Sequence, residues 1–203
     1  MTWAWLTLTS GVLNALWSSQ IKSRVQKEGA LTFTISMRWG VSLSLLPFAL
    51  FALKGLSLRW WGYSALSGSF ECASLWALTR GARKDFYSTY ALSNVTPLFS
   101  VLWAIFFLGE SISSTLGLGI VLVVVGALWL YYRGHWSWWG LGSAIIGSLS
   151  GLFSKLALPE SGYLLHSCFA FMMGAILLTI GGLLEGKTSI QAVTRNIWAN
   201  KLL

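Results

Sequence analysis

An all-helical bundle that crosses a membrane several times is the fold class this sequence predicts, on three observations. The first is charge. Fourteen Lys+Arg and six Asp+Glu are spread over 203 residues, where a soluble domain carries charge at about a quarter of its positions. That is too little to wet a globular surface, and a mean hydropathy of +0.67 agrees. The second is run length: apolar residues come in stretches of about 20, the length a helix needs to cross the hydrocarbon core. The third is continuity. A membrane barrel would show alternating segments of about ten residues. A soluble enzyme, a disordered chain and a soluble nucleic-acid binder are thereby excluded.

Seven spans follow in order. Span one, Thr2 to Gln20, lacks the basic start and small-residue cleavage site of a signal peptide, so it counts as a helix. Span two runs from Ala30 to Leu53 and span three from Leu58 to Thr79. Span four, Phe86 to Leu108, contains Pro97, which removes a backbone hydrogen bond and predicts a kink. Span five runs from Thr115 to Tyr132, span six from Ser137 to Ala157 and span seven from Tyr163 to Leu184. The remainder, from Glu185, is a polar tail. Short linkers make sequential spans antiparallel neighbours. Gly147 and Gly151 have the four-residue spacing that lets helix backbones approach closely.

Trp60, Trp61, Trp136, Trp138 and Trp139, with Tyr131 and Tyr132, lie near charges at span ends, where an interfacial aromatic belt sits. Trp17, Trp39, Trp76 and Trp103 fall inside spans. Cys72 and Cys168 sit in apolar runs and read as small core residues. The net charge of +8 is mainly a loop property. Ten basic residues fall at the end of the spans opposite the N-terminus, among them Arg80, Arg83 and Lys84, against three at the N-terminal end. The positive-inside rule then places the N-terminus outside.

Two charges break this pattern: Arg38 in span two and Glu71 in span three. Ionisable groups inside a span are costly and face the bundle interior or a wet cavity. Arg38 is eight residues from Ala30 and Glu71 eight from Thr79. At 1.5 Å per residue both lie about 12 Å below the same surface. They are expected to form an ion pair, either a static lock between spans or the two ends of a solute site. Polar stripes accompany them: Ser10, Asn14 and Ser18; Ser64, Ser67, Glu71 and Ser74; Tyr87, Tyr90, Asn94 and Pro97; Ser143, Gly147, Ser150 and Ser154. Such stripes either zip helices together or line a water-filled path. No nucleophile, metal-ligand spacing or phosphate loop is visible, and His135 and His166 each read as isolated, so no enzyme, cofactor or metal is expected.

The stretch from Ala77 to Leu130 carries a recognisable pattern: "AL" at Ala77 and Leu78, "PLFSVL" from Pro97, "LGE" ending at Glu110, and the glycines Gly119 and Gly126. With "ALWSS" from Ala15 and "ISMRW" around Arg38, it resembles the EamA-type domain of the drug/metabolite transporter superfamily. The resemblance implies a bundle of two inverted five-helix repeats. Residues 2–132 would form one complete repeat and residues 137–203 the start of a second, incomplete one. It further implies a secondary transporter of small solutes (amino acids or drug-like molecules) working by alternating access in a bacterial inner membrane. Members of this family usually start in the cytoplasm, opposite to the charge count. The expected solute site places Arg38 and Glu71 at its polar centre, Asn14, Tyr90 and Asn94 as hydrogen-bonding groups, and Trp17 and Trp76 as walls. The alternative is a non-transporting helper subunit or truncated relative. Partners are then a solute, the lipid bilayer and, if the chain ends here, a second copy or partner chain. No nucleic acid is expected.

Overall fold

The structure, a computed structural model, describes residues 27, 29–51, 55–111, 113–132, 136–186 and 188–199. These form helices α1 (Ala30–Phe51), α2 (Leu58–Lys84), α3 (Phe86–Ser93), α4 (Thr96–Leu108), α5 (Ser114–Tyr132), α6 (Trp138–Leu184) and α7 (Ile190–Ala199). No strand occurs among the described residues. Among the described residues, three segments are long and apolar enough to cross a membrane: Ala30–Phe51, Phe86–Leu108 and Trp138–Leu184.

The 47-residue α6 is two arms. Helical geometry fails at Gly162, whose φ of 73° and ψ of 173° belong to a region open essentially to glycine alone. Pro159, just before it, removes a backbone donor. The chain doubles back there: His166 Nε2 and Ser154 Oγ, twelve positions apart, hydrogen-bond at 3.0 Å. On a straight helix they would lie about 18 Å apart. The arms, 138–161 and 163–184, match the boundary expected between spans six and seven.

Helix α2 is the centre of the packing, against α1 and both arms. It runs antiparallel to the first arm, with Ser67 bonded to Ser150 and Ser154 and Ser74 bonded to Ser143. It runs parallel to the second, with Ser64 bonded to His166. Small residues allow this. A Cβ on Gly68 would overlap the Ala170 backbone, and one on Gly174 would meet the Cys72 sulfur and the Gly68 carbonyl. Of the expected Gly147 and Gly151 pair, only Gly147 makes a close approach, to Ser74 Oγ; Gly151 has ordinary contact.

Three other expectations change. Trp60 does not face outward from the bundle: it is 1% exposed, and its indole N–H donates to Ser161 Oγ at 2.7 Å. Trp61, Trp136, Trp138 and Tyr132 do remain exposed. Span four is not one kinked helix but α3 and α4, broken at Asn94 and Val95, with Pro97 in the first turn of α4. The i, i+3, i+7, i+10 stripe therefore does not lie on a single helix face. The tail contains a helix, α7, which buries Val193; the Val193 carbonyl accepts from Ser36 Oγ of α1.

Candidate functional site

Arg38 comes from α1 and Glu71 from α2, two antiparallel neighbours. Arg38 Nη2 donates to Glu71 Oε1 at 2.9 Å. The pairing expected from the sequence is the contact found. Nearer the basic end, the hydroxyls of Thr34, one turn from Arg38, and Thr79, about two turns from Glu71, meet at 3.2 Å and tie the same two helices together. The two partners differ in access: the Arg38 side chain is 8% exposed and that of Glu71 is 34%. The guanidinium carbon also lies 4.4 Å from the centroid of the Phe171 ring, on the second arm of α6. A cation is thus fixed between a carboxylate and an aromatic face, both of which stabilise its charge. Arg38 Nε is buried and has no hydrogen-bond partner among the described residues. The pair therefore leaves one buried donor unused.

The serines of α2 have mostly found partners. Ser64, Ser67 and Ser74 are bonded across to α6, and Ser64, Ser67, Ser143 and Ser150 are buried. These two stripes zip helices together, as one of their two readings held. Among the stripe residues of α2, Glu71 alone turns toward α1.

No hydrogen bond or ring contact joins the other expected site residues to the ion pair among the described residues. Tyr90 packs on Phe86, centroids 4.5 Å apart, and against the buried Ala30 and Phe33 at the start of α1. Asn94 is exposed at the end of α3. Trp76 stands edge-on to Trp139 and carries the Arg80 guanidinium over its ring at 5.1 Å. It faces a cavity at the basic end of α2, not the ion pair. Asn14 and Trp17 lie outside the described residues.

His166 escaped the sequence reading. It is 3% exposed, held at 2.9 Å by Ser64 and at 3.0 Å by Ser154. Each ring nitrogen faces a hydroxyl that can either donate or accept, so both nitrogens are satisfied in either neutral tautomer. The usable signal was depth: Ser64 and His166 are each a few residues from the same membrane face.

These helices, with an ion pair between two of them, define a helical integral membrane protein. The chain belongs to the EamA-like transporter family, whose model matches residues 1–132, 132 of the 203 positions. That family is one of membrane transporters and not of enzymes. No curated protein and no solved structure matches the chain.

Proposed function

We propose that the chain acts as a secondary transporter of small metabolites or drug-like solutes by alternating access, with Arg38 and Glu71 as the polar centre of its path. The observation that carries this is the ion pair itself, one partner a third exposed and the other buried with an unused N–H. A pair serving only as a lock gains by satisfying every donor. This one keeps a donor for a solute acceptor. Tyr90, packed on the start of α1, supplies a hydroxyl, Trp76 supplies an aromatic wall toward the basic end, and Asn14, Asn94 and Trp17 complete the set. Glu71 is also the group best placed to carry a coupling proton, being the carboxylate at mid-depth. In this reading residues 2–132 are one repeat and 137–203 begin a second, inverted one. The membrane is a bacterial inner membrane.

The test is uptake into proteoliposomes of a panel of radiolabelled amino acids and a fluorescent cationic dye, under a pH gradient. The Glu71→Gln variant should lose at least tenfold in rate for whichever probe the wild type moves, and should lose its pH dependence. Unchanged rate and unchanged pH dependence would overturn the proposal.

A further inference from the structure

At the basic end of α2 lies a cavity of about 540 Å³. Its walls include Thr32 from the start of α1, Trp76, Arg80 and Arg83 from α2, and Leu177 and Glu185 from the end of α6. It is separate from the ion pair, since Arg80 is nine residues beyond Glu71, about 14 Å along the helix.

Arg80 is held in an unusual way for a loop-end cation. Its guanidinium carbon sits 5.1 Å from the Trp76 centroid and 4.8 Å from the Trp139 centroid. Stacking engages the flat faces of a guanidinium and leaves its edge donors free. Those donors are the ones that clasp carboxylate and phosphate oxygens in pairs. Arg80 and Arg83 are both exposed, and neither forms an ion pair among the described residues. Glu185 contributes one carboxylate to the same walls, so two guanidinium groups still leave a positive excess. The rest of the lining is mainly apolar. Topology alone explains why arginines stand at this end of the helix. It does not explain an arginine set within about 5 Å of two mutually perpendicular indoles at the mouth of a cavity.

We propose that this cavity binds an organic anion with an apolar body. Arg80 and Arg83 hold a carboxylate or phosphate head, and the body lies against Trp76 and Leu177. The site does not depend on transport at Arg38 and Glu71, because binding is read without a gradient. The head can come from an anionic phospholipid of the adjoining leaflet or from a soluble amphiphile, and the experiment separates them.

Purified full-length protein in a neutral maltoside detergent is titrated calorimetrically with four probes: dihexanoyl-phosphatidylglycerol, dihexanoyl-phosphatidylcholine, octyl phosphate and inorganic phosphate. Saturable binding is expected for phosphatidylglycerol, octyl phosphate or both, with phosphatidylcholine and inorganic phosphate at least tenfold weaker. Phosphatidylglycerol alone identifies a lipid site, and octyl phosphate alone a soluble-ligand site. The double variant R80Q/R83Q should weaken binding at least tenfold, and R80K/R83K less. Lys155→Gln, at the opposite end of the molecule, should leave it unchanged. Should the double variant fail to fold, R83Q alone serves, with a loss of at least threefold expected. Equal binding of the choline and glycerol lipids, binding of neither anionic amphiphile, or wild-type affinity in the arginine variants would overturn the proposal.

Discussion

Arg38 shows how much a single residue reveals when its setting is apolar. A charge inside an apolar run of about 20 residues demands a partner, and the distance of each charge from its span end points to Glu71. The energetics follow the same logic. Removing one partner of a buried pair costs about 3–5 kcal/mol, because the other charge is left uncompensated, whereas replacing both with apolar groups is often neutral. Glu71 is partly exposed, so the lower end of that range applies. Glu71→Leu should therefore lower the melting temperature measured in detergent by several degrees, and R38M/E71L should recover most of it while remaining inactive in uptake. Equal melting temperatures for E71L and the double variant would mean that the two side chains are not coupled. His166 marks the limit of such reading. Its partners, Ser64 and Ser154, lie on α2 and on the other arm of α6. Only the reversal at Gly162 brings them within reach, so the residue looked solitary in the sequence. His166→Ala leaves the buried Ser64 hydroxyl without its partner and is expected to cost about 1–3 kcal/mol, read as a fall in thermal stability.

Among the helices, length and hydropathy located most of the boundaries within a few residues, because the bilayer imposes one scale on every span. Two features did not follow from that scale. The break at Asn94 and Val95 depends on how α3 and α4 pack on α6, which a proline can mark but not specify. The helix α7 was hidden by the polarity of its tail, although Ile190 and Val193 already stand at helical spacing. The reversal of α6 rests on a backbone angle, and here a substitution is informative. No atom lies within 4 Å of a Cβ placed on Gly162. Gly162→Ala therefore introduces no clash, yet its φ of 73° with ψ of 173° is nearly closed to alanine. Such a backbone costs about 1–3 kcal/mol, so G162A should destabilise despite the open space. Gly142, also with open space around it but with ordinary helical backbone, should accept alanine at no cost and gain slightly in helix propensity. If both variants melt alike, strain at the turn is not what shapes the hairpin.

For the whole molecule, the doubling back of α6 decides which surfaces face the same compartment. Ser57 Oγ donates to Glu160 at 2.9 Å, so the start of α2 and the tip of the hairpin share one end. A Cβ on Gly81 would meet the Cβ of Trp139, so the end of α2 and the start of α6 share the other. Arg80, Arg83 and Lys84 stand at that second end. The positive-inside rule makes it cytoplasmic, while the family's usual orientation makes it external; sequence alone left the two in conflict. Cysteine labelling resolves it, since Cys72 and Cys168 are buried and give little background. Leu58, Tyr163 and Leu184 are 87%, 71% and 83% exposed, so cysteines there perturb little. In intact cells a membrane-impermeant maleimide should label L58C and Y163C together and should spare L184C, which reacts only in inverted vesicles. Labelling of L58C without Y163C would overturn the hairpin. Labelling of L184C alone from outside would keep the hairpin and reverse the orientation, which would turn the Arg80 and Arg83 cavity toward the exterior and make its anion a molecule arriving from outside the cell.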